Sequence, residues 1–291
     1  MRDFAGKVAV VTGGASGVGR AIAERLARER MHLVLADVEG PALDGTVAAL
    51  RAGGAEALGV VTDVSRFESV QALEQAAVAA FGRVHVLCNN AGVGAHEDVP
   101  VWELPLSDWR WTLDVNVWGV IHGIKAFVPG MLAHGEEGHV VNTSSGNGGL
   151  IVIPTTPIYA TSKSAVSALT EALHYQLVGL GAKLRASVLY PGPHIVASSI
   201  FTAARNRLPR YARETPQVMP PMTLDAILQL AEAAGTRLKT TEPSEVAEHL
   251  VDGLREDRYF ILPPSEEGDR RVRARMEAIL ARRTPEPPRL F

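Results

Sequence analysis

Apolar positions along the chain alternate between two rhythms. Short runs dominated by Val, Leu, Ile and Ala fall at 7–12 (KVAVVT), 32–37 (HLVLAD), 55–63 (AEALGVVTD), 84–89 (VHVLCN), 139–144 (HVVNTS) and 184–190 (LRASVLY). Between them lie longer Ala-, Glu- and Arg-rich stretches, at 18–30, 41–52, 66–81, 107–132 and 158–180, whose apolar residues recur with a helical period. A strand that is apolar throughout is buried on both faces, and such strands run parallel, joined by crossover helices. The pattern predicts an α/β fold: a doubly wound parallel sheet with helices on both faces, in a single domain.

The rhythm breaks after Tyr190. Pro191 opens an irregular stretch (PGPHIVASS), followed by Pro216, Pro220 and Pro221 with Met219 and Met222 close by. Periodicity returns with a helix near 242–256, capped by Thr241 or Ser244, a short strand at 258–262 (RYFIL) and an Arg-rich amphipathic helix near 266–283. Residues 284–291 (TPEPPRLF) read as a loose C-terminal tail. No repeat or Pro/Gly/Ser linker divides the first 190 residues. Residues 193–241 therefore read as a substrate loop or lid inserted in one domain.

Composition narrows the partners. The 291 residues are 46% hydrophobic and 21% charged, enough for a sizeable core and too apolar for disorder. With 29 Lys and Arg against 32 Asp and Glu, the formal charge is −3, and no basic excess points to nucleic acid or an anionic membrane. No run approaches the ~18 consecutive apolar residues of a membrane helix, and MRDFAGKVAVV has no apolar segment followed by a cleavage site. Cys88, the single cysteine, cannot form an intrachain disulfide and sits in the apolar VHVLC as a small hydrophobe. These features lead us to expect a cytoplasmic protein acting on a small molecule.

The first strand runs straight into TGGASGVG, where Gly13, Gly17 and Gly19, with Ser16 and Val18 between them, precede a helix. Glycines there allow a tight turn and let backbone approach a pyrophosphate, whose charge meets the free N–H groups and positive end of the helix. The second strand ends in Asp37, 18 residues beyond Gly19, the place of a carboxylate that accepts from adenosine ribose hydroxyls. That carboxylate repels a 2′-phosphate, and Val38 and Ser16 offer no cation to offset it, so NAD is favoured over NADP; Arg20 is the nearest cation. The competing reading has Asp37 merely capping the helix after Pro41.

Tyr159 and Lys163, in YATSK, lie one helical turn apart on one face. A free tyrosine titrates near ~10, and a neighbouring ammonium lowers that value. Tyr159 is then suited to exchange a proton with an alcohol or carbonyl while hydride moves to or from a nicotinamide ring. Ser145, 14 residues earlier in VNTSS, is placed to hydrogen-bond the substrate oxygen, with Ser144 as the alternative. No G-x-S-x-G elbow supports a hydrolase.

TGGASGVG, NNAG (89–92), Asn116 in NVWG, Ser145, YATSK and YPG (190–192), in this order, resemble the short-chain dehydrogenase/reductase family over about residues 5–192, more loosely to 262. The resemblance implies a Rossmann fold, a catalytic tetrad of Asn116, Ser145, Tyr159 and Lys163, and a homodimer or homotetramer. It implies that Lys163 also binds the nicotinamide ribose and that Asn116 helps hold a water linking the lysine to solvent. Asp63 and Val64 match the adenine-contacting pair, Asn90, Ala91 and Gly92 the segment beside the cofactor, and Pro191, Gly192 and His194 the loop facing the nicotinamide. Two departures stand out: His194 and Val196 replace the last defined positions of the family's P-G-x-V-x-T, with Ser198 or Ser199 as substitutes for the hydroxyl, and the Ser145–Tyr159 interval is one residue longer than usual.

Other features carry several readings. His96, Glu97 and Asp98 form a polar cluster that reads better as a solvated loop than as a metal site, and no metal is expected. Trp102, Trp109, Trp111 and Trp118 suit a substrate pocket or a subunit interface. Ile151, Val152, Ile153, Pro154, Phe201, Met219 and Met222 suggest an apolar pocket wall, with Ile151, Ile153 and His194 as substrate contacts; Arg205, Arg207 and Arg210 reach it if the lid moves. The expected activity is NAD-dependent interconversion of a mainly apolar secondary alcohol and ketone. A regulatory dinucleotide binder without turnover is the alternative, as are epimerisation, dehydration and double-bond reduction on the same fold.

Overall fold

The computed structural model describes residues 1–95, 97, 99–215 and 222–286. Its centre is a seven-stranded sheet of β1 (Val8–Thr12), β2 (His32–Asp37), β3 (Ala57–Val61), β4 (Val86–Asn89), β5 (Gly138–Thr143), β6 (Leu184–Leu189) and β9 (Phe260–Ile261). The spatial order is β3-β2-β1-β4-β5-β6-β9 and every pairing is parallel. The order reverses between β1 and β4, which opens a crevice at the carboxyl ends of the strands where an α/β sheet binds its ligand.

Residues alternate between the two faces, so both sides must be covered. Ala9, Val11, Leu33 and Leu35 enter one apolar core, with side chains from α1 (Gly17–Arg28), α2 (Gly40–Ala52) and α8 (Pro243–Arg255). Val8, Val10, Val34 and Ala36 enter the other, with α3 (Phe67–Phe81), α5 (Gly119–Ala133) and α6 (Pro157–Gly179).

The stretch expected as one helix over 107–132 is α4 (Leu106–Leu113), a π-helical turn (Asp114–Trp118) and α5. By length and hydropathy alone, Leu106–Ala133 is enough to cross a membrane. It belongs instead to the helical layer, burying Val120, Phe127, Val128 and Met131 against the sheet.

The chain after Tyr190 is more regular than its composition suggests. β7 (Ile195–Val196) pairs with β8 (Thr240–Thr241), two 3₁₀ stretches follow (Ser199–Asn206 and Pro209–Tyr211), and α7 covers Leu224–Ala233. Pro216, Met219, Pro220 and Pro221 lie outside the described residues. Neither Thr241 nor Ser244 caps α8: Glu242 is the N-cap, in a reciprocal capping box with Glu245, because Thr241 is taken into β8 and accepts the His194 amide. α9 spans Glu266–Leu280, three residues short of the expected end.

Candidate active site

The glycine turn is demanded by space as well as by backbone angle. Gly13 and Gly17 have φ of +67° and +53°, while a Cβ on Gly19 would lie 2.0 Å from the Gly13 carbonyl oxygen. Ser16, the N-cap of α1, makes no side-chain cap to the helix, so the first amides of α1, from Gly17 and Val18, face the cavity without one. Asp37 closes the turn from β2: its Oδ2 accepts the Ala15 amide at 3.0 Å and its Oδ1 the Glu39 amide at 3.1 Å. The capping alternative for Asp37 fails, since Glu39 occupies the N-cap of α2.

Thr12 joins this turn to the end of β4. Its Oγ1 accepts the amides of Asn90 and Ala91 at 3.0 and 3.1 Å, and its carbonyl accepts Asn90 Nδ2 at 3.0 Å. Sequence reasoning passed over Thr12, although a hydroxyl at the last position of a strand feeding the glycine turn was the available signal. Gly92 leaves room for two groups at once: a Cβ there would stand 3.4 Å from both Asn116 Oδ1 and Lys163 Nζ.

Ser145, Tyr159 and Lys163 converge where β5 and α6 meet. The Ser145 hydroxyl stands beside the Tyr159 phenol, near enough to favour its ionised form. Lys163 is buried, donates to the Thr143 carbonyl at 2.8 Å and stands 5.7 Å from the centre of the Tyr159 ring. Ser144 points away, donating to the Lys163 carbonyl at 2.8 Å, so Ser145 is the serine of the site. Between Ser145 and Tyr159 the chain makes a kinked turn at Gly146–Leu150, in which Gly148 sits at φ +99° against the Ala160 carbonyl.

The electrostatics differ from the expected lowering of the tyrosine. Tyr159 keeps a partly exposed edge, yet burial of its hydroxyl pushes the phenol up to about 12, only partly offset by Ser145. Burial pushes the Lys163 ammonium down to about 8. Charge in the protein alone is thus disfavoured on both groups, with desolvation the leading cause for each.

The Asn116 side chain is fully engaged: Oδ1 accepts the Val93 amide at 2.8 Å, and Nδ2 donates to the Val93 carbonyl at 2.9 Å and to Ser162 Oγ at 3.0 Å. It fastens the chain after β4 to α6. Glu97, in the same loop, accepts the amides of Ile158 and Tyr159 at 2.7 and 3.1 Å, a contact the sequence reading missed by treating this residue as solvated. His96 and Asp98 lie outside the described residues; among those described, no group of three potential metal ligands occurs.

One cavity of about 2440 Å³ is lined by Gly13, Ser16, Gly17, Val18, Gly19, Asp37, Asn90, Ala91, Gly92, Glu97, Ser145, Tyr159 and Lys163, with Thr12 and Asn116 standing behind its wall. Ile151, Val152, Ile153, Pro154, Phe201 and Met222 line it too, as do Pro191, Gly192 and an exposed His194; Met219 lies outside the described residues. Trp111 is buried in the wall, whereas Trp102 is 78% and Trp118 50% exposed. Ser198 and Ser199 stand over Gly17 and not beside Tyr159, with Ser199 Oγ 2.8 Å from Ser16 Oγ.

The three arginines expected to reach a substrate are all held by framework carboxylates. Arg205 pairs with Glu39 at 2.6 Å, Arg207 with Asp108 at 2.5 Å and Arg210 with Asp63 at 2.6 Å. The Asp63 carboxylate also accepts from the Ser65 amide and hydroxyl. Val64 is buried, packed against Gly119.

Residues 7–206 match the family model for short chain dehydrogenases. The chain belongs to the short-chain dehydrogenase/reductase family. A putative oxidoreductase, SadH, of Mycobacterium tuberculosis is 41% identical to this dehydrogenase over 192 residues, 66% of this chain and 68% of that protein. The 1-deoxy-11-beta-hydroxypentalenate dehydrogenase of Streptomyces avermitilis is 34% identical over 253 residues, 87% of this chain and 83% of that one. The crystal structure of a family member from Burkholderia phymatum in complex with NAD is 43% identical, with a TM-score of 0.90 over the whole of both chains. Family membership makes this protein an NAD(P)-binding oxidoreductase acting on a small molecule.

Proposed function

We propose that this short-chain dehydrogenase uses NAD to interconvert a mainly apolar secondary alcohol and its ketone, with Tyr159 as general acid and base. The observation that carries the reading is the convergence of Ser145, Tyr159 and Lys163, the last one turn along α6 from Tyr159, on the same cavity as the glycine turn.

The residues fit a dinucleotide. An α1 N-terminus without a side-chain cap and a turn with no room for a Cβ would take the diphosphate. Asp37 would accept from the adenosine ribose, Asp63 and Val64 would flank the adenine, and Asn90–Gly92, Lys163 and the Pro191–His194 loop would border the nicotinamide end. Arg20, the cation nearest a 2′-phosphate, pairs with Glu24 at 2.7 Å, which supports NAD over NADP. The bound nicotinamide supplies or accepts the hydride. Ser145 orients the substrate oxygen, and Tyr159, protonated at neutral pH, donates to a carbonyl; in the reverse direction Lys163 and Ser145 stabilise the phenolate. Ile151, Ile153 and Phe201 give the substrate end an apolar wall, which is what favours the substrate class. The described parts of the 193–241 insertion act as the lid, and the exposed Trp118, Tyr175 and Val178 suit a homodimer or homotetramer.

The test is a fluorescence titration with NADH and NADPH, followed by turnover of alcohols and ketones. Tyr159→Phe should lose about 10²–10⁴-fold in kcat with NADH affinity kept. Ketone reduction should fall as pH rises past about 8, where Lys163 loses its charge. A preference for NADPH sinks the Asp37 argument, and undiminished turnover in the phenylalanine variant sinks the proton-transfer role.

A further inference from the structure

α6 begins without a cap of its own. Thr156, its N-cap, makes no side-chain bond to the helix because its hydroxyl accepts from Asn147 Nδ2 at 2.7 Å. Pro157 has no N–H, so the first free donors are the amides of Ile158 and Tyr159. Both are taken by one carboxylate more than 60 residues earlier: Glu97 Oε2 accepts Ile158 N at 2.7 Å and Oε1 accepts Tyr159 N at 3.1 Å. The loop that carries Glu97 is fixed at its other end by Asn116, which holds both polar atoms of Val93. Between these anchors a Cβ on Gly94 would lie 3.9 Å from the Tyr159 ring, so the loop walls the tyrosine directly.

We infer that Glu97 is a positioning residue for Tyr159: its carboxylate is the long-range cap that fixes the first turn of α6 and clamps that turn to the loop closing the cavity after β4. The inference rests on the proposed role of Tyr159. A negative group at a helix N-terminus is favoured by the helix dipole and by the two amides it satisfies. A neutral carboxyl offers one fewer acceptor of equal strength, so the clamp is complete only when Glu97 is ionised. Burial pushes Glu97 up to about 7, against the two amide bonds that lower it, and Asp108 of α4 raises it further. Asp108 is itself paired with Arg207 and Arg213, and the titratable groups of α6 beside the cavity are Tyr159 and Lys163. The clamp therefore forms near neutrality, below the point at which Lys163 loses its charge.

Two measurements test this. Amide hydrogen exchange on the whole protein, without substrate, reads the clamp itself: protection at Ile158 and Tyr159 should fall at least tenfold in Glu97→Ala relative to the parent, while amides in the middle of α6 keep theirs. Steady-state kinetics against pH read its consequence. Glu97→Gln, which keeps size but not charge, should lower kcat about tenfold or more with KM for NADH unchanged, and should flatten the acidic limb of kcat near pH 7. Unchanged protection at both amides overturns the clamp whatever the activity does. A Glu97→Gln profile that superimposes on the parent, while Tyr159→Phe is inactive, overturns its effect on Tyr159 alone. Loss of turnover in neither Tyr159→Phe nor the Glu97 variants overturns the Tyr159 reading, and the exchange data then decide the clamp separately.

Discussion

At the scale of the residue, two glycines with the same side chain have opposite meanings. A Cβ on Gly19 meets the Gly13 carbonyl at 2.0 Å and Asn90 Nδ2 at 2.6 Å, and backbone at that distance cannot step aside. Gly45, exposed within α2, has nothing within 4 Å of its would-be Cβ. Gly19→Ala should therefore destabilise the fold and abolish dinucleotide binding. Gly45→Ala should leave binding alone and raise stability by about 0.5–1 kcal/mol, because alanine loses less backbone entropy in a helix. Urea unfolding with an NADH titration checks both, and a Gly19→Ala protein that still binds NADH would refute the cradle. Glu97 adds a pH signature at the same scale. Its folded-state value of about 7 stands above the 4.5 of an ordinary glutamate, so burying the ionised carboxylate costs more than its two amide bonds return, and global stability falls as pH rises from about 4.5 to 7 even as the clamp on α6 forms.

At the scale of the element, the segment after β7 is a strap held down by charge. Arg205–Glu39 and Arg210–Asp63 are partly exposed, with arginine exposures of 35% and 41%. Asp108, by contrast, is fully buried beneath Arg207 and Arg213, whose side chains are 13% and 11% exposed. Exposed pairs contribute about 0.2–1 kcal/mol each and weaken with salt. Removing one partner of a buried network costs about 3–5 kcal/mol because charge is left unpaired. Arg205→Ala should then speed NADH release by at most about fivefold, an effect that high salt reproduces in the parent, whereas Asp108→Asn should release the strap and lower stability outright. Stopped-flow release and thermal melts distinguish them, and equal effects from the two variants would contradict the assignment of strength.

Elements of this kind also mark where the sequence was legible. His32–Asp37 was read to the residue because its apolar run is bounded by a polar position at each end. Ser145, Tyr159 and Lys163 were readable because their spacing is local to one strand–helix unit. The strap was not, since Arg205 and Glu39 are 166 residues apart and no local pattern records that they meet. Strands β7 and β8 escaped for the same reason: each has two residues, and their pairing across more than 40 residues outweighs any propensity. The Glu97 contact joins a loop to a helix start, a partnership visible only once both are placed.

At the scale of the whole molecule, the site belongs to both halves of the sheet. Its groups sit on the carboxyl ends of β1, β2 and β3 on one side of the reversal and of β4 and β5 on the other, with the strap crossing above. The two apolar cores share β1, whose alternating residues enter both. A ligand that touches both halves cannot stabilise one without the other, so saturation should shift one cooperative transition and not split it. At an NADH concentration one hundred times its dissociation constant the gain is about 2.7 kcal/mol, which for a chain of this size raises the melting temperature by roughly 5 °C. Differential scanning calorimetry should show a single peak that moves intact, and Gly19→Ala should remove the shift. Two peaks, only one of them responsive to NADH, would mean that the segment after Tyr190 unfolds as a unit of its own, and the strap would then be an independent domain docked on the dinucleotide fold.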